Sequence, residues 1–318
     1  MALIERPRLL LLRALGLGDF LTGVPAVRAL RRAFPEHEMV LAAPAVLKPL
    51  VELSGTVDGL LDACSLGSPV WTGDPPDLAV NLHGWGPQSH EILRRLKPVK
   101  LVAFGCAAAF HAGPSWDPEE HETRRWCRLL EESLHIDTCP GDLALAPPST
   151  PAAAPGAVVI HPGAAYPSRR WPPDRFAHVA RAAVAAGHEV VITGGPDEKG
   201  LAELVCREAR LPQRVVQAGR SDLAQLAAQV ASARLLVCGD TGVAHLATAF
   251  STPSVLLFGP TPPSRWGPPA DGPHTVIWHG EEGGKPWGDR VDTSLLRIGV
   301  EEVVARALEM LDGAVTQS

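Results

Sequence analysis

Short apolar runs alternate with longer segments of helical periodicity along the whole chain. The runs are continuously apolar, a pattern typical of strands that are buried on both faces of a parallel sheet. They cover residues 8–14, 39–43, 77–82, 100–105, 157–163, 189–195, 234–239 and 254–259. Since helical patterns follow most of these runs, the sequence predicts an α/β fold with doubly wound parallel sheets.

The helical segments each place their apolar residues on one face. In residues 174–187, Phe176 and Val179 share a face, and Gly187 stands where a C-terminal cap belongs. A long helix is also predicted over residues 120–134. The segment after the first strand contains Pro25, which predicts a kink or a late helix start there.

A proline- and alanine-rich stretch, residues 144–156, interrupts the alternation and has no amphipathic period. Its prolines favour an extended linker, so we place a domain boundary within it. The predicted domains are residues 1–148 and 149–318, each a Rossmann-like unit, facing one another across a central cleft. Ligands of such folds bind at the carboxyl ends of the strands.

Composition narrows the function classes. The chain is 46% hydrophobic and 20% charged with a formal net charge of −6, which argues against a nucleic-acid binder. Six cysteines without a C-x-x-C pair fit a reducing compartment. The N-terminal apolar run ends at Arg13, too early for a signal peptide or a membrane span. We therefore expect a cytoplasmic protein with at most peripheral contact at the inner face of the membrane.

Residues 234–246, RLLVCGDTGVAHL, carry the strongest local signal. A strand ends at Gly239 and a helix follows, so the free N–H groups of its first turn make a seat for phosphate. The side chains of Asp240, Thr241 and His245 would cluster beside these N–H groups, because residues four apart, such as Thr241 and His245, share a helix face. The alternative is that Asp240 or Thr241 merely caps the helix.

Three further strand-to-helix loops carry candidate chemistry. Asp19 follows a glycine pair that forms only part of a dinucleotide fingerprint; it is a candidate general base, or else an N-cap. Arg169 and Arg170 precede a helix, where cations are unfavourable unless an anion binds between them; the alternative is a solvated loop. Glu198 could bind ribose hydroxyls, or simply complement its helix dipole.

The chain resembles the glycosyltransferase family 9 heptosyltransferases, bacterial enzymes of the GT-B fold, in three stretches of its second half: HPGAAYPSRRWP, TGGPDE and DTGVAHLATAFSTPSVLLFGPT. In the first half, ALGLGDFLTGVPAVRALRRAFP, DLAVNLHG and HETRRWCRLLEE resemble that family's motifs in the same order. The resemblance implies an acceptor-binding first domain and a second domain that binds a sugar nucleotide. It also implies ADP-L-glycero-D-manno-heptose as donor, an inverting transfer and the inner core of lipopolysaccharide as acceptor.

By position, the resemblance makes Asp19 the catalytic base and Glu198 the ribose ligand. Arg169 stands where the family usually has a lysine that contacts the diphosphate, and Ala164 and Ala165 stand where some members have threonines. Ser168, Thr241 or backbone N–H groups are candidates to replace those hydroxyl contacts. The expected donor-binding residues are Ser168, Arg169, Arg170, Glu198, Gly239, Asp240, Thr241, Gly242 and His245.

Other interpretations remain open on the sequence. Loss of the usual lysine and threonines would suit a sugar-nucleotide-binding protein without transfer activity. A GT-B epimerase shares the architecture, and a soluble natural product or another glycan is an alternative acceptor. The chain has no Asp-x-Asp motif, so we expect no cofactor and no obligatory metal. His83 and His121 lack partners at ligand spacing and are expected to make ordinary hydrogen bonds.

Overall fold

The structure is a computed structural model that describes residues 6–67, 71–281 and 284–313. The chain forms two compact units, Met1–Leu143 (unit 1) and Ala144–Ser318 (unit 2). Linker residues at both ends of the proline-rich stretch are fixed to unit 2: the Leu145 N–H donates to Ala249 O at 3.0 Å, and the Gly156 N–H to Ser232 O at 2.8 Å. Within the described ranges, no helix is long and apolar enough to cross a bilayer.

Unit 1 contains a parallel sheet whose strands have the order β3-β2-β1-β4-β5. These strands are β1 Arg8–Leu12, β2 Glu38–Ala43, β3 Gly59–Asp62, β4 Leu78–Asn81 and β5 Lys100–Val102. Its helices are α1 Leu17–Ala33, α2 Lys48–Ser54, α3 Gln88–Arg95 and α4 Glu122–Leu134. Strand β1 is central, since Leu10 pairs with Val40 on one side and Ala79 on the other.

Unit 2 also contains a five-stranded parallel sheet, with the strand order β10-β9-β8-β6-β7, in which the third strand of the unit rather than the first is central. Its strands are β6 Val158–His161, β7 Val190–Ile192, β8 Leu235–Gly239, β9 Ser254–Phe258 and β10 His274–Trp278. Its helices are α5 Pro173–Ala185, α6 Lys199–Glu208, α7 Leu223–Ala231, α8 Gly242–Ala249, α9 Pro263–Trp266, α10 Thr293–Arg297 and α11 Val300–Gly313. Strand β8 is central, because Val237 pairs with both Ile160 and Val255.

These two sheets confirm the predicted α/β class of two Rossmann-like doubly wound units. The expectation of a late helix start at Pro25 is wrong, because α1 begins at Leu17 and contains the proline. The first strand ends at Leu12, before the predicted residue 14, so Arg13 leaves the sheet at its carboxyl end. Strands β3 and β10 were not predicted; both lie at sheet edges.

Candidate functional site

Asp19 lies in the first turn of α1, just beyond the carboxyl end of β1. The N-cap of this helix is Gly16, so the alternative interpretation of Asp19 as N-cap is wrong. Burial raises the pKa of the Asp19 carboxyl above its ordinary value, although the positive charge of Arg13 opposes this shift. The nearby Glu122 carboxylate raises the pKa further. Asp19 therefore has the partly desolvated setting of a general base.

Arg13 supports the turn that carries Asp19, and its side chain is only 1% exposed. Its Nε donates to the Asp19 carbonyl oxygen. Its Nη2 donates to Thr22 Oγ1 at 3.0 Å and to Glu122 Oε1 at 3.2 Å. Because one guanidinium binds both the backbone and a side chain of α1, it fixes the position of the Asp19 turn.

Glu122, at the start of α4, lies between two buried cations. It pairs with Arg13 on one side and with Arg125 on the other. Its Oε1 also accepts a hydrogen bond of 2.8 Å from Trp126 Nε1. In the sequence this stretch is predicted as a helix and resembles a family motif, but no role is assigned to Glu122 itself. A signal for its role was present, because a buried acid with arginines must pair to offset its desolvation.

His83 and His121 differ in their surroundings. His121 Nδ1 accepts from the Thr123 N–H at 3.3 Å and thereby caps α4, as an ordinary polar role predicts. His83 Nδ1 is buried without a hydrogen-bond partner among the described residues. Burial, aided by the charge of Arg13, lowers the pKa of His83 to about 4, so its imidazole is neutral at pH 7. Residues 6–67, 71–281 and 284–313 contain no cluster of metal-ligating side chains.

In unit 2, Asp240 follows the central strand β8 and is 5% exposed. Its Oδ2 lies 3.7 Å from Arg169 Nη1, and its carboxylate also accepts a hydrogen bond from the Thr261 side chain. Burial raises the pKa of Asp240, while Arg169 and Thr261 lower it. The loops after three strands (β6, β8 and β9) thus meet at one carboxylate.

At the phosphate site predicted after β8, the strand ends at Gly239 and α8 begins at Gly242 as expected, while phosphate binding itself stays a prediction. Thr241 occupies the N-cap position of α8, yet its side chain makes no capping hydrogen bond, and Asp240 is bonded elsewhere. Neither side chain therefore makes a capping hydrogen bond, although Thr241 holds the N-cap position that the alternative allows. A Cβ at Gly239 would lie 3.0 Å from Arg169 O, so glycine permits the close approach of this loop. His245 packs edge-on against Trp266, with 5.9 Å between ring centroids.

The three candidate residues of the loop after β6, Ser168, Arg169 and Arg170, make different contacts. The Arg169 guanidinium lies 5.7 Å from the Tyr166 ring, and its Nε is buried without a hydrogen-bond partner in the described part of the chain. Arg170 Nε donates to Ala164 O at 2.9 Å and so braces the loop. Ser168 Oγ donates to Pro286 O at 2.8 Å, so in this conformation the hydroxyl serves another loop rather than a ligand.

Glu198 stands at the junction of a 3-10 turn and α6. Its Oε2 accepts from the Gly195 N–H at 2.8 Å and lies 3.8 Å from His161 Nε2. A Cβ at Gly163 would fall 2.1 Å from Glu198 Oε1, so the carboxylate lies directly over this glycine. Burial lowers the pKa of His161, which keeps the imidazole neutral. The hydrogen bond from the Gly195 N–H agrees with the interpretation that Glu198 complements the dipole at the start of its helix. The contact of Glu198 with a ribose stays a prediction.

The sequence model of glycosyltransferase family 9 (heptosyltransferase) matches residues 108–293. Lipopolysaccharide heptosyltransferase 3 of Escherichia coli is 30% identical over 164 residues, which cover 50% of this chain and 48% of that protein. Lipooligosaccharide heptosyltransferase 2 of Haemophilus influenzae is 30% identical over 122 residues, 36% of this chain and 34% of that protein. The chain spans about half the length, or less, of these curated relatives.

The fold is shared with solved structures. An E. coli ADP-heptose lipopolysaccharide heptosyltransferase II superposes with a TM-score of 0.77 at 19% identity, covering 96% of this chain and 99% of that one. A family 9 glycosyltransferase from Veillonella parvula gives 0.76 at 20% identity, covering 97% and 98%. The family match includes α4 and the Arg169, Glu198 and Asp240 loops and extends over more than half of the residues; the chain belongs to glycosyltransferase family 9.

Proposed function

We propose that this protein is an inverting glycosyltransferase that transfers a heptosyl or related sugar from an ADP-sugar to a hydroxyl of a glycan or glycolipid acceptor. The observation that carries the proposal is the meeting of Arg169, Asp240 and the N-terminus of α8 in unit 2. The names of the relatives support it, since they are lipopolysaccharide or lipooligosaccharide heptosyltransferases. One neighbour of similar fold is an E. coli heptosyltransferase solved with ADP.

Unit 2 supplies the donor-binding groups in this proposal. The Arg169 guanidinium and the free N–H groups at Thr241 and Gly242 bind the diphosphate, whose negative charge increases as the glycosidic bond to it breaks. Asp240 accepts hydrogen bonds from the sugar, and Glu198 from the ribose. These cations and dipoles provide the charge stabilisation that a metal supplies in other transferases, so the reaction needs no obligatory metal.

Unit 1 supplies the base. The Asp19 carboxylate takes the proton of the acceptor hydroxyl as its oxygen attacks the anomeric carbon, and ADP leaves from the opposite face. Attack opposite the leaving group inverts the anomeric centre. A glycolipid acceptor would place the protein at the cytoplasmic face of the membrane as a peripheral enzyme, which is the localisation that we propose.

The deciding experiment measures ADP release from ADP-heptose with and without a lipopolysaccharide-core acceptor, together with the anomeric configuration of the product. We expect ADP release that depends on the acceptor and inversion of configuration, both in the presence of a chelator. Binding without turnover would indicate a non-catalytic protein, the alternative that Arg169, Ala164 and Ala165 suggest by departing from the family pattern. Nucleotide release without acceptor would indicate an epimerase.

Arg169 provides a test of the diphosphate contact. Arg169→Ala is expected to weaken ADP binding about 10–100-fold, since a charge-assisted hydrogen bond contributes about 1.5–3 kcal/mol. Arg169→Lys should restore most of that affinity, because it returns the charge without the planar fork. Calorimetric titration with ADP measures both. Adenosine, which has no phosphate, is the control ligand, and an equal loss of adenosine affinity would contradict the assignment.

Gly163→Ala tests the Glu198 position. The added methyl group collides with the Glu198 carboxylate and displaces it from its place over residue 163. We expect adenosine affinity to fall about tenfold, as for loss of one charge-assisted hydrogen bond. A double-mutant cycle is the control: in a Glu198→Ala background, the same methyl group should have almost no further effect. Additive losses would show that Gly163 acts independently of the carboxylate.

The pH dependence of kcat/KM is expected to have an acid limb. Only ionised Asp19 accepts a proton, and burial raises its pKa, so activity is lost as pH falls through a value above that of an exposed aspartate. The slope should be at least tenfold per pH unit, because protonation of the donor-binding Asp240, whose pKa burial also raises, adds to the loss. His83, with a pKa of about 4, stays neutral above that value. If the acid limb of the profile shifted to a different pH in the His83→Gln variant, the assignment of this limb to Asp19 would be contradicted.

A further inference from the structure

A short segment of unit 2 links the loop after β9 to the loop after β6, and both of these loops contact Asp240. This segment, residues 284–288, is called the strap. At its start, a Cβ on Gly284 would lie within 2.6 Å of the backbone of Pro260. At its end, the Gly288 N–H donates to Ser168 Oγ at 3.1 Å and Ser168 N–H donates to Gly288 O at 3.2 Å. Both ends are therefore held by loops of the donor site.

The two anchors adjoin the residues that contact Asp240. Pro260 precedes Thr261, whose hydroxyl donates to the Asp240 carboxylate, and Ser168 precedes Arg169, which pairs with the same carboxylate. A five-residue segment extends over at most about 18 Å. The strap therefore stays close to both of the loops that contact Asp240, because it is anchored on the residues that precede Thr261 and Arg169.

Two exposed side chains of the strap, an indole and an ammonium group, are able to contact a ligand. Trp287 is 75% exposed, and Lys285 is also exposed. Ser168 Oγ bonds the residues on both sides of Trp287: it donates to Pro286 O and accepts from the Gly288 N–H. The backbone of Trp287 is thus fixed while its ring lies in solvent. A rigidly held, solvent-exposed indole provides contact area to a ligand at low entropic cost.

The order of loops along the sheet edge indicates which part of the donor the strap meets. Glu198 follows the edge strand β7, and Arg169 follows its neighbour β6. Asp240 follows β8, and the strap, which comes after β10 in the sequence, lies against Pro260 after β9 and is bonded to Ser168 after β6. A donor with its ribose at Glu198 and its diphosphate at Arg169 therefore has its sugar on the side of the strap.

We propose that the strap is the sugar-facing wall of the donor site, with Trp287 packed against the donor sugar ring and Lys285 bound to the diphosphate. This assignment rests on the proposed function. It also explains how the site works with alanines at positions 164 and 165: Lys285 supplies from the strap a polar contact that the missing hydroxyls would have made.

The test is calorimetric titration of the full chain with three ligands: adenosine, ADP and ADP-heptose. Lys285→Ala should weaken ADP and ADP-heptose binding about tenfold and leave adenosine binding unchanged, as expected for one charge-assisted contact to phosphate. Trp287→Ala should weaken only ADP-heptose, also about tenfold, and Trp287→Phe should restore its affinity. Arg306→Ala, which removes an exposed cation of α11, is the matched control and should change none of the three affinities.

Each other outcome overturns the assignment. A loss of adenosine affinity in Trp287→Ala would place the indole on the base rather than the sugar. Unchanged ADP-heptose affinity in both alanine variants would place the strap outside the donor site, while the proposed function would stand. A wild-type chain that binds neither ADP nor ADP-heptose would contradict the proposed function, and the strap assignment with it.

Discussion

Replacing Asp19 with asparagine is expected to lower the turnover number about 10²–10⁴-fold, the usual contribution of a positioned general base. Asparagine has nearly the same shape as aspartate, so the first turn of α1 should keep its conformation. The Arg13 hydrogen bond to residue 19 also remains, because it is made to the backbone carbonyl. The amide, however, cannot accept a proton at neutral pH. Affinity for ADP should not change, since the donor-binding groups belong to unit 2.

The measurement is steady-state ADP release at saturating donor and acceptor, accompanied by titration with ADP. Asp142→Asn is the matched control, because Asp142 is a partly exposed aspartate of the same unit that pairs with Arg28 and Arg32 on the surface. It should retain turnover. If Asp19→Asn turned over at a rate near that of the wild type, Asp19 would have no role in proton transfer.

The second large effect is on stability. Glu122→Gln should lower the free energy of unfolding by about 3–5 kcal/mol, the range seen when one partner of a buried ion pair is removed. Both guanidinium groups that it pairs with, Arg13 and Arg125, are at most 6% exposed and would keep their charges. The neutral amide can accept hydrogen bonds but cannot offset two desolvated cations.

Urea unfolding followed by tryptophan fluorescence measures this loss, since Trp126 lies within the cluster. Glu131→Gln, in the same helix, is the control. Its pair with Arg124 is partly exposed, with 46% of the arginine and 30% of the glutamate side chain accessible, so the loss should stay below about 1 kcal/mol. Equal losses in the two variants would show that burial of the Glu122 pairs carries no extra energy.

The fold was predictable because its central strands are unambiguous. Leu9–Leu12 in β1 and Leu235–Cys238 in β8 are fully buried, and continuously apolar runs of this length leave few alternatives to a covered parallel sheet. Edge strands carry weaker signals. Strand β3, GLLD, is only partly buried, and β10 begins with a histidine and a threonine, so neither has the apolar continuity on which the prediction depended.

The candidate site was predictable in its loops but not in its contacts. Strand-to-helix turns place Asp19, Glu198 and Asp240 at carboxyl edges wherever the strands are correctly predicted. Pairing between distant residues has no local signal. Arg13 looked like the end of an apolar run, and only the docking of α4 reveals its bond to a residue 109 positions away. Likewise, the hydroxyl of Ser168 is used by a loop 118 residues further along.

The buried Arg13 also has a consequence for the order of folding. It connects β1, the α1 turn, the carbonyl of Leu82 after β4 and the start of α4. Closing a loop of about a hundred residues has an entropic cost that local contacts do not repay, so such contacts form late. The helix turn of Asp19 can form early together with its bond from Arg13, which spans only six residues, but the pairing of Arg13 with Glu122 requires α4. A nascent chain that ends before α4 would therefore hold the base and the neighbouring cation without the carboxylate that neutralises this cation, and the charge pairing around the base would be complete only when α4 docks.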